Sequence, residues 1–250
     1  MRASLRLGKV FGIPIEVNAS WVLIFLLLTY ILAQEFESAR LGWPVAQRWS
    51  VATVMVMLFF LSVLAHELSH SVAAKRQGIP VQSITLFIFG GVSRLSREPG
   101  RPWNEFTIAV VGPLSSIFLS AVFGGLWYLL GTGDSILEVV LFLLAWTNLC
   151  LGVFNLLPGY PLDGGRILRA AVWGLTSSHR RATKAAIRSG QVIGALTVVL
   201  GVTLSIFADA VNGIWVALIG GFLFSVATAS HREECSWEVV KRRGQDILGG

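Results

Sequence analysis

Two of the four histidines stand four residues apart, in His66-Glu67-Leu68-Ser69-His70. On a helix that spacing puts both rings on one face, where a single metal ion can meet both. Glu67 stands where the H-E-x-x-H pattern carries the base that takes a proton from a metal-activated water. The chemistry on offer is metal-assisted hydrolysis. Between Trp49 and Ala74 these are the only ionisable residues in an otherwise apolar run. A charge at the centre of a bilayer costs about 2.5–3.5 kcal/mol on insertion scales, so ionisable groups there point to a task. A pattern with three fixed positions also arises by chance, and a buried histidine is often only a satisfied core residue. The membrane-span setting tips the balance toward a metal.

A second cluster lies further on: Asn155-Leu-Leu-Pro158-Gly-Tyr-Pro161-Leu-Asp163-Gly164-Gly165-Arg166. Its prolines and glycines forbid a continuous helix. Irregular backbone at membrane depth survives only when buried in protein or lining a wet cavity.

The elements that must position these residues follow from composition. Hydrophobic residues make up 54% and charged residues 14% of the 250, and the mean hydropathy is +0.69. That is a polytopic membrane protein. The net charge of +6 does not indicate nucleic acid, because the basic residues sit between apolar segments and orient them. Cys150 and Cys235 are too few for a disulfide framework and lack ligand spacing.

Residues 1–18 read as a basic cytosolic leader followed by a retained helix, not a signal peptide. Apolar segments are expected near 19–33, 49–74, 104–130, 136–157, 189–208 and 211–229, with a short interfacial helix at 166–175. Between the second and third, Ile84-Thr-Leu-Phe-Ile-Phe89, Gly90-Gly91 and Val92-Ser-Arg-Leu-Ser96 read as a β-hairpin. Gly112-Pro113 is expected to bend the third segment, and its small residues through Ser116 to pack against a neighbouring helix. Trp21, Trp43, Trp49 and Trp103 read as interfacial anchors. His179 and His231 read as solvated interface residues, and Arg180, Arg181 and Lys184 as contacts for anionic lipid heads. The fold class expected is an all-α polytopic membrane protein. It has six transmembrane helices and a small membrane-associated β-hairpin between helices 2 and 3.

With the N-terminus in the cytosol, all of the 20 Lys and Arg except Arg40 and Arg48 fall on cytosolic stretches. Both termini are then cytosolic. The second and fourth segments run outside to inside, which brings His66, His70, Asn155 and Asp163 to one membrane face. A metal held by two histidines and an aspartate needs that convergence.

The paired motifs, HELSH within one membrane helix and N-x-x-P-x-x-P-L-D-G-G at the end of another, resemble the site-2 protease family of intramembrane zinc metalloproteases. The resemblance covers about residues 50–175. It implies one Zn2+ per chain, with His66, His70 and Asp163 as metal ligands and Glu67 as catalytic base. It also implies Asn155 as a catalytic residue that assists substrate or transition-state binding; capping the end of its helix beside Pro158 is the competing role. The partners implied are membrane-anchored protein substrates and the lipid bilayer, with no nucleic acid. The product would be a cytosolic fragment, as in regulated intramembrane proteolysis at the cell membrane. Residues 1–230 are expected to form a single transmembrane protease domain and 231–250 a short cytosolic tail. Some relatives carry PDZ or CBS modules, for which this chain has no room. The hairpin at 84–96 either offers a strand edge to an unwound substrate or merely walls the cavity.

Two other functions use the same residues. A non-haem iron membrane oxygenase also takes two histidines and a carboxylate, but oxygen chemistry gives Glu67 no task. A non-catalytic metal transporter or sensor would carry further polar residues along its spans, and the first, fifth and sixth segments hold little beyond Ser, Thr and Gly.

Overall fold

Residues 1–18, expected as a leader, instead supply two strands, β1 (Ser4–Val10) and β2 (Ile13–Asn18). The computed structural model describes residues 4–39, 42–88, 90–130 and 136–248, with side chains through 230. Arg2, Arg40 and Phe89, and the side chains of His231 and Cys235, lie outside that description. In β2, Ile13, Ile15 and Val17 point inward on alternate positions, the period of a strand with one face covered. Phe11 and Gly12 turn the chain with φ of 50° and 74°, both positive as a two-residue type I′ hairpin requires. Phe-Gly is not among the favoured pairs for that turn. For that reason the hairpin is hard to see in the sequence.

Strand β2 runs parallel to β3 (Val81–Phe87), and β3 pairs antiparallel with β4 (Gly90–Leu95), giving a four-stranded sheet in the order β1-β2-β3-β4. The expected hairpin is therefore present, but as half of a larger sheet.

Seven helices follow the apolar periodicity: α1 (Ala19–Ser38), α2 (Val45–Arg76), α3 (Pro102–Leu130), α4 (Ile136–Asn155), α5 (Asp163–Thr176), α6 (His179–Phe207) and α7 (Ala210–Leu248). Among the described residues six helices are long and apolar enough to cross a membrane: α1, α2, α3, α4, α6 and the Ala210–Ser230 part of α7. The chain is a multi-pass membrane protein. Asn18 caps α1 by accepting from the Ser20 backbone N–H, and Ser178 caps α6 through the Arg181 N–H, each satisfying a helix-end donor.

The chain divides into two compact units, one of Met1–Gly100 with Thr107–Phe154 and one of Arg101–Phe106 with Asn155–Gly250. In the first, Ile13, Ile15 and Ile84 of the sheet pack on Leu64 and Leu68 of α2. Trp21, partly buried, packs on a neighbouring cluster of Val17, Val63 and Leu86. It stacks on Phe25 and meets Phe60 edge-on, each at 5.1 Å, so it also serves as a packing residue. Trp49 and Trp103 are exposed. Asn148 of α4, fully buried, donates to Ser62 Oγ of α2 at 3.1 Å.

In the second unit α6 and α7 pack closely: a Cβ at Gly194 would lie 2.7 Å from the Phe224 nitrogen. Small residues let helix backbones approach in this way. His179 meets the Trp173 ring edge-on at 4.7 Å.

Candidate metal centre

Both histidines of α2 are buried, and their Nε2 atoms lie 3.2 Å apart. His70 Nδ1 donates to the Ile108 carbonyl of α3 at 2.6 Å. A carbonyl can only accept, so the His70 proton sits on Nδ1 and its Nε2 lone pair faces His66. His66 Nδ1 meets Ser116 Oγ, also of α3, at 2.9 Å. Anchoring the far nitrogen of a ligating histidine fixes its tautomer and ring orientation. Nitrogens held at 2.0–2.1 Å by one tetrahedral ion stand about 3.3 Å apart. The pair already has that spacing.

What keeps room beside the two nitrogens is an absent side chain. A Cβ on Gly112 of α3 would overlap His70 Nε2 and Cε1 and lie 2.8 Å from His66 Nε2. Gly112 was expected to matter for bending and packing, yet it faces the rings. The buried Pro113 follows it inside the helix.

Glu67 is held from the sheet side. Ser93 Oγ of β4 donates to Glu67 Oε2 at 2.9 Å and lies 3.2 Å from the Glu67 carbonyl. Two residues earlier on the same strand, a Cβ on Gly91 would stand 2.5 Å from Glu67 Cγ. β4 therefore presses directly on the base.

In the other unit, Asp163 is the first residue of α5 and is buried. A carboxylate there suits the unpaired N–H groups of the first turn. The preceding loop, which contains a cis Tyr160–Pro161 peptide, folds back over the helix start. A Cβ at Gly164 would overlap the carbonyl oxygens of Leu156 and Leu157, which explains the Gly-Gly after the aspartate. Tyr160 N–H donates to the Ala186 carbonyl at 3.1 Å, and Ser189 Oγ donates to the Pro158 carbonyl. Arg166 Nη1 lies 3.9 Å from Asp163 Oδ1. Arg169 meets Glu105 Oε1 through Nε at 2.6 Å and Nη2 at 2.5 Å. Asn155 is the last residue of α4.

His66 and His70 bring two buried imidazole nitrogens together, and Asp163 of the other unit offers a buried carboxylate. Two imidazoles with their Nε2 atoms at tetrahedral spacing and a glycine gap beside them fit zinc. Ile108, Ser116, Gly112, Ser93 and Gly91 were not singled out from sequence as site residues. The one available signal was Gly-Pro followed by Ser115-Ser116 inside an apolar helix.

A buried two-histidine turn with an adjacent glutamate, in a chain with six candidate membrane spans among its described residues, is the donor arrangement of a membrane metalloprotein. The chain belongs to Peptidase family M50, whose family model matches residues 54–133 and 131–200. It is 39% identical to Rip3 of Mycobacterium tuberculosis over 91% of its own length and 58% of that protein. To sll0528 of Synechocystis it is 39% identical over 93% of this chain and 61% of that one. The chain thus spans about three-fifths of the curated relatives it matches. Among solved structures it resembles a site-2 protease from Methanocaldococcus jannaschii, with TM-score 0.62 and 31% identity, covering 91% of this chain and 94% of the other. The family does not favour the oxygenase or the transporter.

Proposed function

We propose that the chain is a zinc-dependent intramembrane endopeptidase. It hydrolyses a peptide bond in or near the transmembrane segment of a membrane-anchored protein and releases a cytosolic fragment. The observation that carries this reading is the pair of Nε2 atoms at 3.2 Å, each ring anchored through Nδ1, with Glu67 beside them. His66, His70 and Asp163 are the ligands. Zinc, when bound, lowers the pKa of a coordinated water toward about 7 and polarises the scissile carbonyl. Glu67 takes a proton from the attacking water and delivers it to the leaving amine. Asn155 donates its amide N–H to the oxygen on which negative charge develops. The domain is residues 1–230, followed by a cytosolic tail at 231–250, and the protein sits in the cell membrane with both termini in the cytosol.

The test compares cells carrying the active chain with cells carrying Glu67→Gln, by sequencing new termini in the membrane proteome and measuring metal in the purified protein. One zinc per chain in both, with cleavage inside transmembrane segments only in the active form, is the expected result. Iron in place of zinc, with membrane proteins intact in both, would sink the assignment.

A further inference from the structure

We infer that Ser93 is the positioning residue for the general base, an inference that rests on the reading of Glu67 as that base. Its hydroxyl has one proton and two acceptors within reach, Glu67 Oε2 at 2.9 Å and the Glu67 carbonyl at 3.2 Å. The carboxylate is the nearer and the charged one, and a hydrogen bond to an ionised acceptor is the stronger. What turns the Ser93 proton toward Glu67 is Ser71. Fully buried on α2, one turn beyond Glu67, Ser71 donates its own proton to Ser93 Oγ at 3.0 Å. With that lone pair taken, Ser93 acts as a donor.

The arrangement sorts the two carboxylate oxygens. Oε2 is held by Ser93, so the incoming proton goes to Oε1. The water O–H bond breaks and the Glu67 Oε1–H bond forms; that bond then breaks as the leaving nitrogen gains its N–H. Ser93 keeps donating to Oε2 throughout and exchanges no proton. Gly91 makes the contact possible, since any side chain there would drive β4 away from Glu67 Cγ, which stands 2.5 Å from its would-be Cβ. The hairpin thus acts on the catalytic group itself, a role distinct from walling a cavity or pairing with substrate.

The experiment uses the full chain in phospholipid vesicles. Its probe is a fluorescein-labelled transmembrane peptide taken from the first membrane protein found cleaved in the proteomic comparison. Ser93→Ala is expected to lower kcat on the order of 10–100-fold, the usual loss for an outer-shell hydrogen bond. KM and the zinc content stay at the unsubstituted values, and Ser93→Thr, which keeps the hydroxyl, restores kcat to within a few-fold. Unchanged kcat in Ser93→Ala, or zinc loss that Ser93→Thr fails to repair, overturns the inference. Glu67→Gln run in parallel separates the two readings: if it is inactive while Ser93→Ala is normal, the base stands and only the positioning role falls. If Glu67→Gln turns over normally, both fall.

Discussion

At the scale of single residues, the centre is defined as much by an empty volume as by its ligands. His70 cannot swing aside, because its Nδ1 is tied to the Ile108 carbonyl at 2.6 Å. A methyl group at position 112 must then displace the ring or occupy the space beside both Nε2 atoms. Gly112→Ala is therefore expected to cut zinc affinity by at least the 10–100-fold seen when a ligand's supporting shell is disturbed. Elemental analysis of the purified variant should find little bound zinc, while its circular dichroism keeps the helical content. A variant that binds zinc normally would show that the gap is not the metal's. That His66 and His70 face one another was legible in the sequence, since spacing along a helix is a property of the chain. Gly112 and Ser116 were not, because their function depends on which face of α3 meets α2, and neither helix encodes that alone.

At the scale of elements, the aspartate is only as well placed as helix α5. The described structure pins α5 through Arg169, whose guanidinium meets Glu105 of the first turn of α3, with Glu105 completely buried. Glu105 Oε2 has no hydrogen-bond partner among the described residues, so this pair retains part of its desolvation penalty. Breaking such a pair from one side strands a buried charge and costs about 3–5 kcal/mol, whereas replacing both partners with apolar residues is often near neutral. Glu105→Ala is thus expected to melt well below the parent chain in detergent, and Glu105→Met with Arg169→Met to recover most of that loss. Equal melting of the single and double variants would mean the pair is not a clamp. Element types were largely readable: all six spans and the 84–96 hairpin follow from apolar length and β-branched composition. The β1–β2 hairpin was not, for two reasons. Its turn is an atypical Phe-Gly, and its partner strand β3 begins only after two intervening spans. The charge pattern of residues 1–18 pointed to a leader, whereas the alternation of Ile13, Ile15 and Val17 records a buried sheet face.

At the scale of the molecule, the sheet constrains topology in a way that charge counting does not. β2 and β3 are hydrogen-bonded neighbours, with Ile15 opposite Ile84, and the chain between them consists of α1 and α2. Both helices are long enough to cross the bilayer, so the path leaves the sheet's side and returns to it. Strands cannot pair through a hydrocarbon layer, where backbone groups must be satisfied locally. The N-terminal hairpin and the β3–β4 hairpin therefore share one side of the membrane. Arg6 and Lys9 on one, with Arg94 and Arg97 on or just after the other and Lys75 and Arg76 ending α2, make that side the basic one, and an excess of Lys and Arg supports the proposed cytosolic placement of that side. The proposed topology, with six spans and a cytosolic N-terminus, puts the turn between α6 and α7 outside. The check uses a chain with Cys150 and Cys235 replaced by Ser, carrying either Ser4→Cys or Asn212→Cys, and a membrane-impermeant maleimide applied to intact cells. Asn212→Cys should label at once and Ser4→Cys only after the membrane is opened. The reverse pattern would put the Glu67 face of α2 outside, and a fragment cut there could not be released to the cytosol.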